Sequence, residues 1–380
     1  MRILMANYEF PPVGGGGATA NYYLAREMVA EGHEVAVVTS GFRGLPKRET
    51  VEGVEVLRVP VYRQRRDFTR MHEMLQYVIS GAPRAALMGL GGRWDVVQTF
   101  FAVPSGLAGW WASRMGRIPH VIRLGGGDLP GHEKRFGTTH RLIKPVLSCL
   151  LKGAAARVVN SDGLRDRAKE LYPKLDFEVI YNGVDREMFR PAPTPPPGPP
   201  TVLFVSRLIE RKGLQHLLDA LAEVAAEGLE FRLKVVGDGP MREKLQEQTA
   251  RLGLLQQVEF MGLQPRSRLP EIYRSAHIFC LPSASEGMAN VVLEALASGL
   301  PLVVTDVPGT RELVEEGQNG FVVDSAGPEI LAAPLQKLIA DGELRRSMGE
   351  TSRERSKPFA WSKMAQKYIA LYRSLTDGSR

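Results

Sequence analysis

Glu286 and Glu294 stand eight positions apart in SEGMANVVLEALASGLPLVVTD (285–306), a stretch otherwise almost wholly apolar or small. An ionised carboxylate is a pure acceptor that can hold two neighbouring hydroxyls, which suits a hexose and a ribose. Buried without a partner it is costly, so each acid is expected to meet something; an acid stabilising its own helix start accounts for Glu286 and poorly for Glu294. Upstream, SRLIERKG (206–213) sets Arg207 and Lys212 five apart, before a glycine-led helix. Arg can grip a diphosphate by its fork and Lys as a point charge, although paired surface cations are usually just solvated. Near the start, YEFPPVGGGGATA (8–20) carries Gly14, Gly15, Gly16 and Gly17 in a row. Gly15, Gly17 and Ala20 fit G-x-G-x-x-A loosely, but Pro11 and Pro12 separate them from the preceding strand. The next strand, 34–40, also ends without the acid that would hold a ribose. A loop contacting phosphate or substrate at a helix N-terminus is the reading retained, with a plain flexible loop as its alternative.

These residues need elements to hold them. The apolar runs 2–7, 34–40, 54–59, 95–100, 119–124, 156–161 and 177–183 predict buried strands, with amphipathic segments between several of them. Strands apolar throughout and joined by helices imply a parallel sheet covered on both faces. RPAPTPPPGPP (190–200), with seven prolines in eleven residues, can join neither helix nor central strand and predicts a stiff linker. The alternation then restarts at 201–208, 231–240, 257–262, 277–283, 301–306 and 320–324, and the chain closes on an amphipathic helix. The fold class expected is α/β, two doubly wound Rossmann-like domains facing a cleft, with ligands beyond the C-terminal strand ends. There lie the turns Gly237-Asp238-Gly239 and Gly262-Leu263, whose backbone groups could frame a base. Asn290 is placed as the N-cap of the helix carrying Glu294, which turns the amides of Gly287, Met288 and Ala289 toward a phosphate or sugar.

At 380 residues the chain exceeds one ordinary core, and 44% apolar with 24% charged residues fits a soluble globular protein. No apolar run is long enough to span a membrane. MRILMAN enters a strand without a signal peptide's core, so a cytoplasmic protein is expected. Cys149 and Cys280, in apolar surroundings, read as core packing. Residues 1–190 hold 27 Lys and Arg against 19 Asp and Glu, a net of +8; the remainder holds 22 against 23, a net of −1. Solubility explains this, or else the first half meets something anionic. YRQRRDFTRMHEMLQYVI (62–79) sets four arginines before a helix, which suits an anionic membrane face or simply a solvated helix start. Nucleic-acid binding is disfavoured, because the basic residues are not interleaved with stacking aromatics.

Taken together, the spacing Glu286-x7-Glu294, the glycine loop, YNGVD (181–185), SRLIERKG, VVGDGP and FMGLQP resemble the retaining family-4 glycosyltransferases of the GT-B fold, over nearly the whole chain. The resemblance implies an acceptor-side domain at 1–189 and a nucleotide-sugar domain at 201–358. The last helix, about 359–380, would cross back onto the first domain. It implies that Arg207 and Lys212 hold the donor diphosphate, Glu294 the ribose, and Glu286 with the amides of Gly287, Met288 and Ala289 the transferred sugar. Gly237, Asp238, Gly262 and Leu263 would frame the base, while Gly15, Gly16 and Gly17 close on the diphosphate. The donor would be a nucleoside-diphosphate sugar, UDP-linked as the commonest case, with no cofactor and no obligatory metal. The acceptor would be lipid-linked, phosphorylated or saccharide, with peripheral contact at an anionic membrane. One departure stands out. Many members carry His-Gly-x-Asp, and here RLGGGDLPG (123–131) puts Gly125 in the histidine's place while Asp128 keeps the acid; His120, His132 and His140 are out of register. Alternatives are a related phosphorylase or epimerase, or a sugar-nucleotide-binding protein of impaired activity.

Overall fold

Residues 1–66, 68–129, 137–324 and 327–377 are described in a computed structural model, 137–142 by backbone alone. The chain divides into two units, Met1–Asn182 with Trp361–Arg380, and Gly183–Ala360.

The first unit's strands are β1 (Arg2–Ala6), β2 (Glu34–Ser40), β3 (Arg48–Val51), β4 (Val54–Val59), β5 (Val96–Phe100), β6 (His120–Arg123), β7 (Ala156–Val159) and β8 (Glu178–Val179). They form one sheet ordered β3-β4-β2-β1-β5-β6-β7-β8. Helices α1 (Gly16–Ala30), α2 (Met71–Leu90), α3 (Ser105–Gly116), α4 (Gly137–Gly153) and α5 (Asp162–Leu171) connect them. Side chains alternate across a strand, so Ile3 and Met5 meet Tyr23, Leu24 and Met28 of α1 on one face. Leu4 and Ala6 meet Tyr77 and Ala85 of α2 and Ala108 of α3 on the other. Both faces are covered, which is why these strands read as unbroken apolar runs.

Three expectations are corrected here. The sheet is not wholly parallel: β3 pairs antiparallel with β4 through a tight turn in which Glu52 and Gly53 both have positive φ, a hairpin geometry matched to strand twist. Of the four arginines in 62–79, Arg63 is buried; its guanidinium donates to the carbonyls of Tyr8, Arg66 and Phe68 at 3.3, 3.5 and 3.3 Å. It organises the loop before α2 and presents no charge to a surface. Cys149 is exposed on α4, and only Cys280 is buried, its thiol pKa pushed up by burial.

The second unit's sheet is parallel throughout, ordered β11-β10-β9-β12-β13-β14. Its strands are β9 (Thr201–Val205), β10 (Arg232–Val236), β11 (Val258–Gly262), β12 (Ile278–Leu281), β13 (Leu302–Thr305) and β14 (Gly320–Val323). Its helices are α6 (Leu214–Ala226), α7 (Arg242–Arg251), α8 (Leu269–Arg274), α9 (Asn290–Ala297), α10 (Pro328–Ala340) and α11 (Gly342–Arg355). The boundary expected at 190–200 lies instead between Asn182 and Gly183. The proline run is held to the second unit. Phe189 is fully buried beside Tyr273, Arg353 donates to the carbonyls of Arg186 and Phe189 at 3.0 and 2.9 Å, and His277 Nε2 lies 3.0 Å from the Pro196 carbonyl.

The last helix, α12 (Trp361–Asp377), belongs to the first unit. Trp361 stacks on Tyr23 of α1 at 4.9 Å, and the Tyr372 hydroxyl donates to Gln98 Oε1 of β5 at 2.8 Å.

Candidate active site

In the second unit, the loops leaving β9 and β12 are tied together. The amide of Ala284 and the hydroxyl of Ser283 donate to the Arg211 carbonyl at 2.7 and 3.1 Å, and Arg211 donates back to the Ser285 carbonyl at 2.9 Å. Gly213, at the N-cap of α6, has φ +77°; a Cβ there would stand 2.0 Å from the Pro282 carbonyl oxygen. This close approach seats the Lys212 ammonium on the Glu286 carboxylate, both side chains largely buried. Burial pushes the Glu286 carboxyl up, but Lys212, Arg211 and Ser283 more than offset it and hold it below the usual range. Burial lowers Lys212, with Glu286 opposing. The pair is therefore an anion and a cation sharing one small volume, and Arg207, whose charge also reaches Lys212, is half-buried and forms no ion pair among the described residues.

The expected base-framing turns join the same cluster by backbone bonds. Leu208 N–H donates to the Asp238 carbonyl at 2.9 Å, and Gly237 N–H to that of Gly262 at 2.9 Å. Gly239 N–H caps Asp238 Oδ1 at 2.8 Å, and Leu263 stands exposed beside this turn. Arg207, the 237–239 turn and Gly262 thus gather at the C-terminal ends of neighbouring strands.

Gly287 and Met288 are buried and Ala289 is half-buried in the loop leading to α9. Asn290 is not the N-cap: Ala289, with extended backbone, precedes the first helical residue, and no side chain caps the end. Glu294 lies in the helix's second turn, nearly fully buried. It is not unpaired: Arg266 donates to Oε1 at 3.0 Å, and the buried Tyr273 hydroxyl lies 3.1 Å from Oε2. Burial raises its pKa, with Arg266 and Tyr273 offsetting only part. Neither partner was expected from the sequence. Tyr273 reads as a core aromatic at the end of a short helix, and Arg266 as one more surface cation after a turn.

Gly15, Gly16 and Gly17 lie in the other unit, at the start of α1. Gly15 N–H donates to Glu9 Oε2 at 3.2 Å, and Glu9 also accepts from Thr69 at 3.1 Å. A Cβ at Gly17 would stand 2.3 Å from the Phe101 ring, and one at Gly125 would stand 3.1 Å from the same ring. Phe101, at the end of β5, holds a left-handed backbone, φ +69°, uncommon for a bulky residue and characteristic of strained functional loops. The ring fills the space in front of Gly125, which the missing histidine left open to question. His120 cannot stand in for it: it is buried on Thr99 at 3.0 Å, its pKa lowered to about 3 by burial. His132 lies outside the described residues, as does the side chain of His140.

Asp128 ties the loops after β5 and β6, accepting from the amides of Ala102 at 2.8 Å and Gly125 at 2.7 Å. Burial raises its pKa to about 7, beyond what these amides and Arg123 lower it. Between its ordinary pKa near 4 and about 7, the folded chain holds a proton that the unfolded chain has lost. Stability should therefore fall as pH rises through that window, by up to about 4 kcal/mol, and level off above it. Asp128→Asn should flatten the slope. All four tryptophans, Trp94, Trp110, Trp111 and Trp361, lie in this unit, so urea unfolding followed by their emission at pH 5 and pH 8 reads it directly; parallel pH trends in the two proteins would refute the assignment.

Behind Glu286 a cavity of about 10 Å³, lined by Ser283, Thr305 and Thr310 among others, has room for a single water. Among the described residues, no three His, Cys, Asp or Glu side chains gather as a metal site requires, and no helix is long and apolar enough to cross a membrane.

Residues 15–183 match the family described as glycosyl transferase 4-like domain, and residues 185–355 match glycosyl transferases group 1. The chain is 27% identical over 412 residues to alpha-maltose-1-phosphate synthase of Mycolicibacterium smegmatis, covering 99% of this chain and 100% of the relative. In fold it is similar to sucrose-phosphate synthase from Thermosynechococcus elongatus, with TM-score 0.84, 21% identity and full coverage of both chains. It is likewise similar to Anabaena HepE, solved in complex with UDP and glucose, with TM-score 0.77, 21% identity and 99% and 100% coverage.

Proposed function

Residues 15–183 are a glycosyl transferase 4-like domain and residues 185–355 belong to the glycosyl transferases group 1 family, and from that premise we propose a retaining sugar transfer from a UDP-linked donor. The chain is a glycosyltransferase of two doubly wound α/β units. The observation that carries the finer reading is the Lys212–Glu286 pair with Arg207 beside it, in no ion pair among the described residues, at the C-terminal ends of β9 and β12. As the anomeric C–O bond breaks, its electron pair leaves with the diphosphate. Preset cations at that point are the largest stabilisation a site can offer. Lys212 and Arg207 take that role without an obligatory metal; chelation with EDTA should not slow turnover. Glu286 anchors Lys212 and accepts from sugar hydroxyls, together with the amides of Gly287, Met288 and Ala289. The acceptor oxygen attacks from the departing group's own face and passes its proton to the leaving diphosphate. Glu294 has lone pairs to spare for ribose hydroxyls, with the half-exposed Arg266 giving way. Gly237, Asp238, Gly262 and Leu263 frame the base. Gly15, Gly16 and Gly17 close on the diphosphate and help form the acceptor side, and Asp128 positions the loops after β5 and β6. The acceptor is a lipid-linked, phosphorylated or saccharide species, and the protein acts in the cytoplasm with peripheral contact at an anionic membrane.

The test is thermal melting with UDP, GDP, ADP and CDP on the wild type and Glu294→Gln. A ligand at a hundredfold excess over its Kd adds about 2.7 kcal/mol to the folded state, and UDP should show this. Because burial disfavours the Glu294 charge, the variant should melt no lower than the wild type without nucleotide, yet lose the UDP shift. A flat wild-type response to all four would overturn the donor reading. Phe101 filling the space before Gly125 favours one second reading, a sugar-nucleotide-binding protein without transfer. Donor binding without turnover across an acceptor panel would establish it.

A further inference from the structure

α2 turns a row of apolar side chains outward: Met71, Leu75, Ile79, Leu87 and Leu90, each about half exposed or more, Ile79 at 66%. With exposed Pro83, they recur every fourth residue from Met71 to Leu87, a stripe winding slowly along the helix. α3 adds Trp111 and Met115, also exposed. The two helices cross with almost no gap: a Cβ at Gly89 would stand 2.3 Å from the Ala112 carbonyl, and one at Gly116 would stand 2.7 Å from that of Gly89. α2 and α3 thus pack directly on each other, and both exposed rows are carried by neighbouring helices of the first unit. Isolated exposed apolar residues are ordinary, but a contiguous patch of this kind marks an interaction site.

The charges around it have one sign. Between residues 68 and 119 the cations are Arg70, Arg84, Arg93, Arg114 and Arg117, and the acids are Glu73 and Asp95 alone. Both acids are engaged elsewhere. Glu73 is buried and accepts from the amides of Gln64 and Arg70 at 3.0 and 2.7 Å. Asp95 holds the backbone and side chain of Arg2 at 2.7 and 3.2 Å. Arg93 pairs with Glu34, which leaves Arg70, Arg84, Arg114 and Arg117 exposed around the apolar rows.

We infer that the α2–α3 face docks flat on an anionic lipid surface, the apolar rows entering the acyl boundary and the arginines meeting the headgroups. This deepens the membrane contact in the proposed function, rests on it, and moves it from the 62–70 arginines to the two helices. A second copy of the chain is the poorer occupant: a two-fold contact would set the same arginines against each other.

The test is sedimentation of the full chain with vesicles of phosphatidylcholine, with and without phosphatidylglycerol. The wild type should partition onto the anionic vesicles only, and rising salt should release it. Leu75→Glu/Ile79→Glu, on the exposed stripe, should lower that partition at least about tenfold while keeping the wild-type melting point and UDP response. Retention of the UDP response separates this surface from the donor site, and its absence in both proteins would count against the donor reading alone. Wild type that ignores anionic vesicles, or a variant that binds them equally, overturns the proposal. So does a concentration-dependent wild-type dimer that the variant abolishes, which would hand the face to a second copy.

Discussion

Lys212→Met should slow sugar transfer by about 10²–10³-fold, the usual cost of removing one preset group from a developing charge, and should also destabilise the second unit. The two effects have separate origins. Lys212 neutralises Glu286 in a nearly dry volume, and removing one partner of a buried pair costs about 3–5 kcal/mol because the other is left uncompensated. Lys212→Met/Glu286→Gln should therefore recover most of the lost stability in calorimetry and none of the turnover. The pH dependence has a definite sign. The folded Glu286 carboxyl sits below its ordinary value of 4.5, so the pair's contribution is present above that pH and is lost as pH falls through the lowered value. The Lys212→Met protein should lack this acid-limb contribution. Full turnover by either variant would remove Lys212 from the reaction.

Gly213→Ala should both destabilise the second unit and slow sugar transfer. A left-handed residue other than glycine costs about 1–2 kcal/mol, and here the added carbon would sit 2.0 Å from the Pro282 carbonyl oxygen. Relief requires the 209–213 and 282–286 segments to part, and overpacking of that kind costs a further ~1–3 kcal/mol. Parting them moves Lys212 from Glu286, and a displacement of about 1 Å in a positioned group can cost 10²-fold in rate. Gly317→Ala supplies the control: its φ is +74° and nothing lies within 4 Å of the added carbon. It should show the left-handed cost alone and full activity. Equal destabilisation by the two substitutions would mean that the Pro282 contact yields freely, and Gly213 would lose its role in seating Lys212.

What the chain disclosed by itself was whatever depends on periodicity and order. The doubly wound alternation was legible because both sheet faces are covered, which makes strands such as Val35–Val38 apolar without a break. Glu286 and Lys212 stood out as charges in apolar or glycine-led surroundings, and the structure brings them together. Residues whose meaning comes from distant neighbours stayed hidden. Arg63 looked like surface charge because nothing local shows that the carbonyls of Tyr8 and Phe68 surround it. Arg266 and Tyr273 reach Glu294 only because the turn after β11 and the short helix α8 fold onto α9. Phe101 lay just past the predicted strand 95–100 and drew no reading, and its place against Gly17 and Gly125 goes with a left-handed backbone that no pattern announces. The proline run was read as the boundary, but Phe189, just before it, is already packed in the second unit.

The membership of α12 in the first unit has a consequence for how the protein is made. Translation delivers residues 1–182 first, and the ribosome normally lets leading domains mature while the rest is still being built. Here that order is inverted. Tyr23 has no Trp361 to stack on and Gln98 no Tyr372 to bond until the last residues emerge, whereas Gly183–Ala360 is one uninterrupted stretch. The segment born second can reach its native state first, and the nascent first segment waits with the surface that α12 covers still exposed, a client for chaperones during the interval it takes to synthesise everything between Asn182 and Asp377.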